Sequence, residues 1–171
     1  FDPVHFGHLR LAEEAIALAD QVIVMDHGAT DQAASPREVY NHPHSPYVAR
    51  FMGGQNVLSG VAEKIGAGRT VVLGKDGTAY DLPEVAGAKS GDTINFSVRR
   101  DRIDLIADKA TGRNCTEGIV TNVEYQGTYV KVALDTGSRE EFVVYLDVDR
   151  YFAAPNEVGQ KVRASWEARF N

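Results

Sequence analysis

The sequence has little cysteine, no long basic run and no long hydrophobic run. Cys115 is the single cysteine among 171 residues, so an intramolecular disulfide is excluded, which fits a reducing compartment. The longest apolar runs span about four to six residues, far below the ~20 that cross a bilayer, so no direct membrane insertion is expected. The formal net charge is −6 and the longest basic run is Arg99-Arg100, which argues against nucleic acid as a partner.

Motifs for ATP hydrolysis and for metal binding are also missing. The chain has no Gly-x-x-x-x-Gly-Lys-Ser/Thr phosphate loop and no Walker B strand for Mg²⁺. His42-Pro43-His44 has no Cys, Asp or Glu at ligand spacing beside it, so no metal site is predicted. We therefore expect no cofactor, no catalytic residue and no ATPase activity in this chain by itself. It begins at Phe1 without a leader, so no secretion signal is predicted and a fragment of a longer protein is expected.

The composition changes near Gly53-Gly54, and we place a domain boundary there, giving residues 1–53 and 54–171. All five histidines lie at or before His44, whereas strand-like alternation begins after Asn56. The first part therefore has a different character from the second.

Helical spacing of apolar residues predicts an amphipathic helix over residues 9–19. Residues 21–25 are apolar and β-branched, which is typical of a buried strand. Ser35 and Pro36 predict an N-cap and first helical position, and a second short helix follows Pro46. The first part is thus predicted to be a short α/β segment.

After Gly54 the apolar residues recur with a period of two, which is typical of strands with one buried face. Glycine-containing turns separate these segments, and seven or eight short strands are implied. The pattern favours an antiparallel barrel of the OB type, although a β-sandwich gives the same pattern. The predicted inward faces are Ile94, Phe96 and Val98; Ile119, Val123 and Tyr125; Val130, Val132 and Leu134; Phe142, Val144 and Leu146; and Val162, Ala164 and Trp166.

Residues 13–60 carry a longer signature. They include Ala-Asp-Gln-Val-Ile-Val-Met-Asp-His-Gly, Ser-Pro-Arg-Glu-Val-Tyr and Val-Ala-Arg-Phe-Met-Gly-Gly-Gln-Asn. This stretch resembles the end of the ATPase domain in ABC-importer subunits of the polyamine, ferric-ion and maltose type. There the chain enters a C-terminal TOBE (transport-associated OB) region, and residues 91–103 and 117–128 resemble further parts of that region.

The resemblance implies a regulatory accessory domain that pairs as a homodimer through the barrel. It also implies transporter membrane subunits as partners, and a cytoplasmic location peripheral to the inner membrane. The sequence departs from the family at Arg10, which stands where a switch histidine is expected.

Residues 1–14 resemble a different family, the nicotinate-nucleotide adenylyltransferases. Phe-Asp-Pro-Val-His-Phe-Gly-His contains an HxGH motif at His5 and His8, residues that hold nucleotide phosphates in that family. A nucleotidyltransferase fragment is therefore one alternative. The strand that should precede the motif and the later phosphate-binding loop are missing.

A further interpretation concerns Arg113 and Asn114. Residues 111–120 resemble the Ser-Ala-Arg-Asn stretch of molybdate-binding members of the fold family, although Thr111-Gly112 replaces Ser-Ala. Arg113 and Asn114 could bind a small oxyanion through fixed donors, or they could form the turn that begins a strand. A molybdate-like binding module is the main alternative to the regulatory domain.

Overall fold

A computed structural model of the chain describes residues 19–52, 55–106, 114–138 and 140–170. The chain divides into two compact units, Phe1–Gly54 and Gln55–Asn171. Except for its last residue, the predicted helix over residues 9–19 lies outside the described residues.

The described part of the first unit is a hairpin followed by two short helices. Strand β1 (Val22–Asp26) pairs antiparallel with β2 (Ala29–Ala34), and helices α1 (Pro36–Asn41) and α2 (Pro46–Phe51) follow. Both helices begin as expected from capping chemistry, because a serine hydroxyl accepts a backbone N–H three residues on and a proline takes the first helical position. The predicted Ser35 cap and the helix at Pro46 are confirmed.

The prediction of a buried strand at residues 21–25 is only half right. Val24 is buried at 2% exposure, but Ile23 and Met25 are 56% and 54% exposed within the described structure. Side chains alternate across a strand, and here a single face of β1 packs on a small cluster with Val39, Val48 and Met52.

The second unit is a pair of antiparallel sheets. The four-stranded sheet has the order β5-β4-β3-β6 and the five-stranded sheet the order β10-β9-β8-β11-β7. The strands are β3 (Gln55–Gly66), β4 (Arg69–Gly74), β5 (Ala79–Pro83), β6 (Thr93–Arg99), β7 (Asp104–Ile106), β8 (Asn114–Tyr125), β9 (Tyr129–Asp135), β10 (Phe142–Asp147) and β11 (Lys161–Trp166). Helix α3 (Val148–Ala153) lies between β10 and β11.

One hydrophobic core joins the two sheets, so the mainly β, antiparallel prediction is confirmed. Buried residues of both sheets belong to the same cluster, including Tyr80 and Phe96 from one sheet and Phe142 and Trp166 from the other. The ring of Tyr80 lies 5.3 Å from that of Phe96 and 5.9 Å from that of Trp166, between ring centroids. Aromatic stacking across the sheets adds to the burial of apolar area.

The second unit contains an internal repeat. Strands β3 to β6 form the first repeat and β8 to β11 the second, and their strand orders are identical. Both 12-residue strands, β3 and β8, begin with or near an asparagine and carry a bulge at the same place, Ala62/Lys64 and Val120/Asn122. The strand registers therefore define equivalent positions in the two repeats.

The bulge in β8 corrects one predicted face. Val120 is buried, but Ile119 is 49% exposed and Tyr125 is 63% exposed. A bulge inserts an extra residue and reverses the alternation beyond it. A period-two pattern read straight through residues 119–125 therefore joined residues that lie on different faces. The other four predicted faces point into the core, with Ile94 only partly buried.

Candidate functional site

Three of the four residues with predicted binding roles cannot be placed. His5, His8 and Arg113 lie outside the described residues. Their roles stay predictions. Asn114 is described, and it is the first residue of β8.

The side chain of Asn114 connects the two repeats. It is buried at 3% exposure, its Oδ1 accepts the backbone N–H of Asp81 at 2.7 Å, and its Nδ2 donates to the carbonyl of Asp81 at 2.8 Å. Asp81 lies on β5, at the edge of the four-stranded sheet. The amide thus satisfies both backbone groups that an edge residue turns away from its neighbouring strand.

Asn56 makes the same contact in the opposite direction. Its Nδ2 donates to the carbonyl of Val143 at 2.7 Å, and its Oδ1 accepts the N–H of Val143 at 2.9 Å. Val143 lies on β10, the edge strand of the other sheet, at the position equivalent to Asp81. We call this reciprocal pair, Asn56–Val143 and Asn114–Asp81, the asparagine clips. They tie each repeat to an edge strand of the other.

Sequence reasoning missed the role of Asn56 and left two interpretations of Asn114, as an oxyanion donor or as part of the turn that begins a strand. The signal that could have found both is a shared spacing, since each asparagine is followed four residues later by a glycine, at Gly60 and Gly118. In the structure, one donor and the acceptor of the Asn114 amide are engaged by Asp81.

Two acidic groups on the second unit have altered pKa values. The Lys161 ammonium and then the Arg163 guanidinium hydrogen bond to Glu117 and lower the pKa of its carboxyl. Burial raises the pKa of Asp101, but the hydrogen bond and charge of Arg99 outweigh it and the net pKa is lowered. Both carboxylates therefore stay ionised at neutral pH, as parts of surface ion pairs.

Within the described ranges, no group of three or more His, Cys, Asp or Glu is arranged to hold a metal ion. The same part of the chain contains no helix with the length and apolar character needed to span a bilayer.

A family model with the description TOBE domain matches residues 96–169, which run from β6 through β11. Residues 96–169 are therefore similar to a TOBE domain. A second model, described as cytidylyltransferase-like, matches residues 1–44. That match agrees with the resemblance of the HxGH segment to nucleotidyltransferases.

Curated relatives extend the similarity over most of the chain. The spermidine/putrescine import ATP-binding protein PotA of Frankia alni is 29% identical over 163 residues, covering 90% of this chain and 35% of that protein. PotA of Trichodesmium erythraeum is 31% identical over 139 residues, with 77% and 36% covered. PotA of Oleidesulfovibrio alaskensis is 30% identical, with 90% and 43% covered. The chain therefore spans less than half the length of these relatives.

A solved structure supports the OB-like fold. The cytoplasmic molybdate-binding protein ModG, in a crystal form with molybdate bound, matches with a TM-score of 0.61 at 17% identity. The match covers 69% of this chain and 94% of ModG. At this level of identity the match describes the fold alone.

Proposed function

We propose that this chain is the regulatory C-terminal part of an ABC-importer ATP-binding subunit, acting from the cytoplasmic side of the inner membrane. The TOBE match over residues 96–169 carries this proposal, and the PotA relatives support it over most of the chain. The names of those relatives make spermidine and putrescine the first substrates to test. In this role ATP hydrolysis belongs to the rest of the subunit.

The proposed mechanism uses the second unit as one body that favours one state of the ATPase over another. The asparagine clips and the shared core oppose movement of one repeat relative to the other. A bound partner can then shift the ATPase equilibrium only through contacts that differ between its states. The membrane subunits of the transporter are the expected partners in the complete assembly.

A hybrid subunit tests the accessory role. Residues 55–171 replace the corresponding region of Frankia alni PotA, and ATP-dependent putrescine uptake is measured in vesicles with the membrane subunits. We expect uptake near that of the parent, and loss of it when the region is deleted. Equal uptake with and without the region would contradict the proposal. A hybrid with Asn95→Ala, an exposed position on β6, controls for a substitution within the exchanged region.

Pairing through the barrel is the second part of the proposal. Tyr125 and Phe152 are each 63% exposed and their ring centroids lie 6.3 Å apart, so they present a joined aromatic surface. Exposed aromatic residues are enriched in protein interfaces. We expect light scattering to give a dimer mass, and Phe152→Ser to give a monomer, whereas Val61→Ser, on β3, leaves the mass unchanged. A monomer in the unmodified protein at all concentrations would contradict the pairing.

Oxyanion binding is the alternative function, favoured by the fold shared with ModG. The chain is titrated calorimetrically with molybdate, with sulfate and Mg-ATP as controls. Saturable molybdate heat that disappears in Arg113→Ala would support this alternative. Heat that requires Mg-ATP and depends on His5 and His8 would instead support the nucleotidyltransferase fragment. No heat with any of the three ligands leaves the regulatory role as the proposal.

A further inference from the structure

The hairpin of β3 and β4 carries an open cleft on its outer surface. The cleft has a volume of about 240 Å³. Its lining combines two basic side chains and one acidic side chain with apolar and backbone surface, from Lys64, Ile65, Gly66, Arg69, Val71 and Asp81. Nothing in the proposed accessory role uses this cleft.

The internal repeat shows what stands at the same place in the second half. In the first hairpin Gly66 pairs with Arg69, and Lys64 pairs with Val71. In the second, Glu124 pairs with Lys131 and Asn122 pairs with Ala133, with the same spacing from the bulge. Lys64, Gly66 and Arg69 are therefore equivalent to Asn122, Glu124 and Lys131.

In the second repeat these positions hold a carboxylate. Glu124 Oε1 accepts from Asn122 Nδ2 at 2.7 Å and lies 3.6 Å from Lys131 Nζ. Its Oε2 accepts from Gln126 Nε2 at 3.0 Å. A donor two residues before the glutamate and a base on the paired strand thus hold one carboxylate between them.

The first repeat keeps both donor positions but has no carboxylate at the position of Glu124, and the carboxylate that contacts Arg69 comes from Asp81 on β5. Glycine replaces the glutamate at Gly66, where φ is +148° and no heavy atom lies within 4 Å of an added Cβ. Lys64 and Arg69 supply two charged donors where the second repeat has the neutral amide of Asn122 and the ammonium of Lys131. The cleft lies where the glutamate side chain would be.

The neighbouring acids leave the cleft able to bind an anion. Arg69 forms an ion pair with Asp81, which fixes the guanidinium at the cleft, yet a guanidinium carries five N–H donors. Asp81 is itself held through its backbone by Asn114. Glu84 accepts the N–H of Gly68 at 3.1 Å at the turn of the hairpin. The lining side chains sum to one net positive charge, from Lys64 and Arg69 against Asp81.

We propose that the cleft binds a carboxylate group from outside the chain, held by Lys64 and Arg69 as Asn122 and Lys131 hold Glu124. The carboxylate comes from a small free acid or from an acidic side chain of a partner protein. This site uses neither Arg113 nor His5 and His8, so it is independent of the proposed functions above. Charge-assisted hydrogen bonds from two bases favour a carboxylate over a neutral group.

The test is a titration of the full chain followed by amide shifts in two-dimensional NMR at constant ionic strength. Acetate probes the free acid, and the peptide acetyl-Ala-Glu-Ala-amide probes an acidic side chain. We expect saturable shifts at Gly66 and Arg69 with at least one probe. Arg69→Gln and Lys64→Gln should each weaken binding by about tenfold. Lys131→Gln, the equivalent change in the second repeat, and Arg113→Ala should leave it unchanged.

Each outcome decides the proposal or its source. Binding of the peptide alone assigns the carboxylate to a protein partner, and equal binding of acetate assigns it to a free acid. The absence of saturable shifts with both probes overturns the proposal. Equal binding of chloride, or unchanged affinity in both Arg69→Gln and Lys64→Gln, also overturns it. As a converse, Glu124→Ala should create a second acetate site in the other repeat.

Discussion

The two repeats of the second unit share a backbone plan but fill it with different side chains. Position by position, Phe96 and Val98 on β6 correspond to Ala164 and Trp166 on β11. A large residue followed by a smaller one in the first repeat becomes a small residue followed by the largest in the second. Because both pairs are buried in one core, volume lost at one position is supplied at another.

The surfaces of the repeats differ in charge at equivalent places. Glu117, Lys161 and Arg163 form an ion-paired group in the second repeat. The corresponding residues of the first repeat are uncharged, Ser59, Thr93 and Asn95. The two repeats share the bulge, the strand order and the asparagine clips. These features therefore determine the fold, and the surface charges do not.

The largest expected effect comes from removing the largest fully buried side chain of the described structure. Trp166 is fully buried, with ring centroids 5.9 Å from Tyr80 and 6.1 Å from Phe142. Trp166→Ala should lower the free energy of unfolding by about 3–5 kcal/mol, measured by urea denaturation. Val98→Ala, at the equivalent position, removes two methyl-sized groups and should cost about 2 kcal/mol. Equal losses would show that the core is not asymmetric.

The asparagine clips test the feature that the repeats share. Asn114→Ala leaves the N–H and C=O of Asp81 without this partner, and Asn56→Ala does the same to Val143. Each change should cost about 2–4 kcal/mol, because two backbone groups, buried at Val143 and part-buried at Asp81, lose these hydrogen bonds. The exposed Asn95→Ala on β6 serves as control and should change stability little.

A small loss in Asn56→Ala beside a large one in Asn114→Ala would mean that the clips are not equivalent. In that case β10 would keep its place at the edge of the sheet without the hydrogen bonds from Asn56. Comparable losses would support the view that the two repeats stabilise each other reciprocally.

The equivalent glycines Gly60 and Gly118 should differ in the stability that each loses on substitution by alanine. A Cβ at Gly60 would collide with the carbonyl oxygen of Leu73 and lie 2.7 Å from Val72 Cγ1. At Gly118 the nearest atom would be Leu134 Cβ at 3.1 Å. Gly60→Ala should therefore cost about 2–3 kcal/mol and Gly118→Ala about 1 kcal/mol by the same denaturation measurement. The reverse order would contradict the close approach of β3 and β4.

The alternation of apolar residues was enough to predict the fold class and most of the core. In three strands the alternate residues point inward as the period of two requires, namely residues 130, 132 and 134, residues 142, 144 and 146, and residues 162, 164 and 166. The glycine turns were also readable, since Gly77, Gly127 and Gly137 adopt positive φ values. The inward faces and the glycine turns depend on residues that are close in sequence, so a sequence pattern is enough to predict them.

The asparagine clips could not be predicted in the same way. Asn56 and Val143 are 87 residues apart, and Asn114 and Asp81 are 33 apart, so neither contact has a local signature. Ile119 was placed on the wrong face because a bulge is a property of strand pairing. The carboxylate-binding role proposed for the cleft at Lys64 and Arg69 depends on the equivalence of Gly66 with Glu124. That equivalence follows from the register of both hairpins, which the sequence alone does not give.

The smallest expected effect on stability is at the ion-paired group of Glu117, Lys161 and Arg163 on the surface of the second repeat. Glu117 Oε2 lies 2.6 Å from Lys161 Nζ, and its pKa is lowered first by this hydrogen bond and then by that from Arg163. A carboxyl whose folded pKa lies below its unfolded value contributes stability above the unfolded pKa and loses it as the pH falls through the folded pKa. The window is therefore acidic, below the ordinary value of 4.5.

A titration of the Glu117 carboxyl carbon by NMR should give a midpoint below 4.5 that rises in Lys161→Gln. Because the group is exposed, the stability change in Glu117→Gln should be small and should shrink further in salt. Ser59→Ala, at the uncharged equivalent, should show no such pH or salt dependence. A large, salt-independent loss of stability in Glu117→Gln would mean that surface charge does stabilise the second repeat. The conclusion that the surface charges do not determine the fold would then be wrong for this repeat.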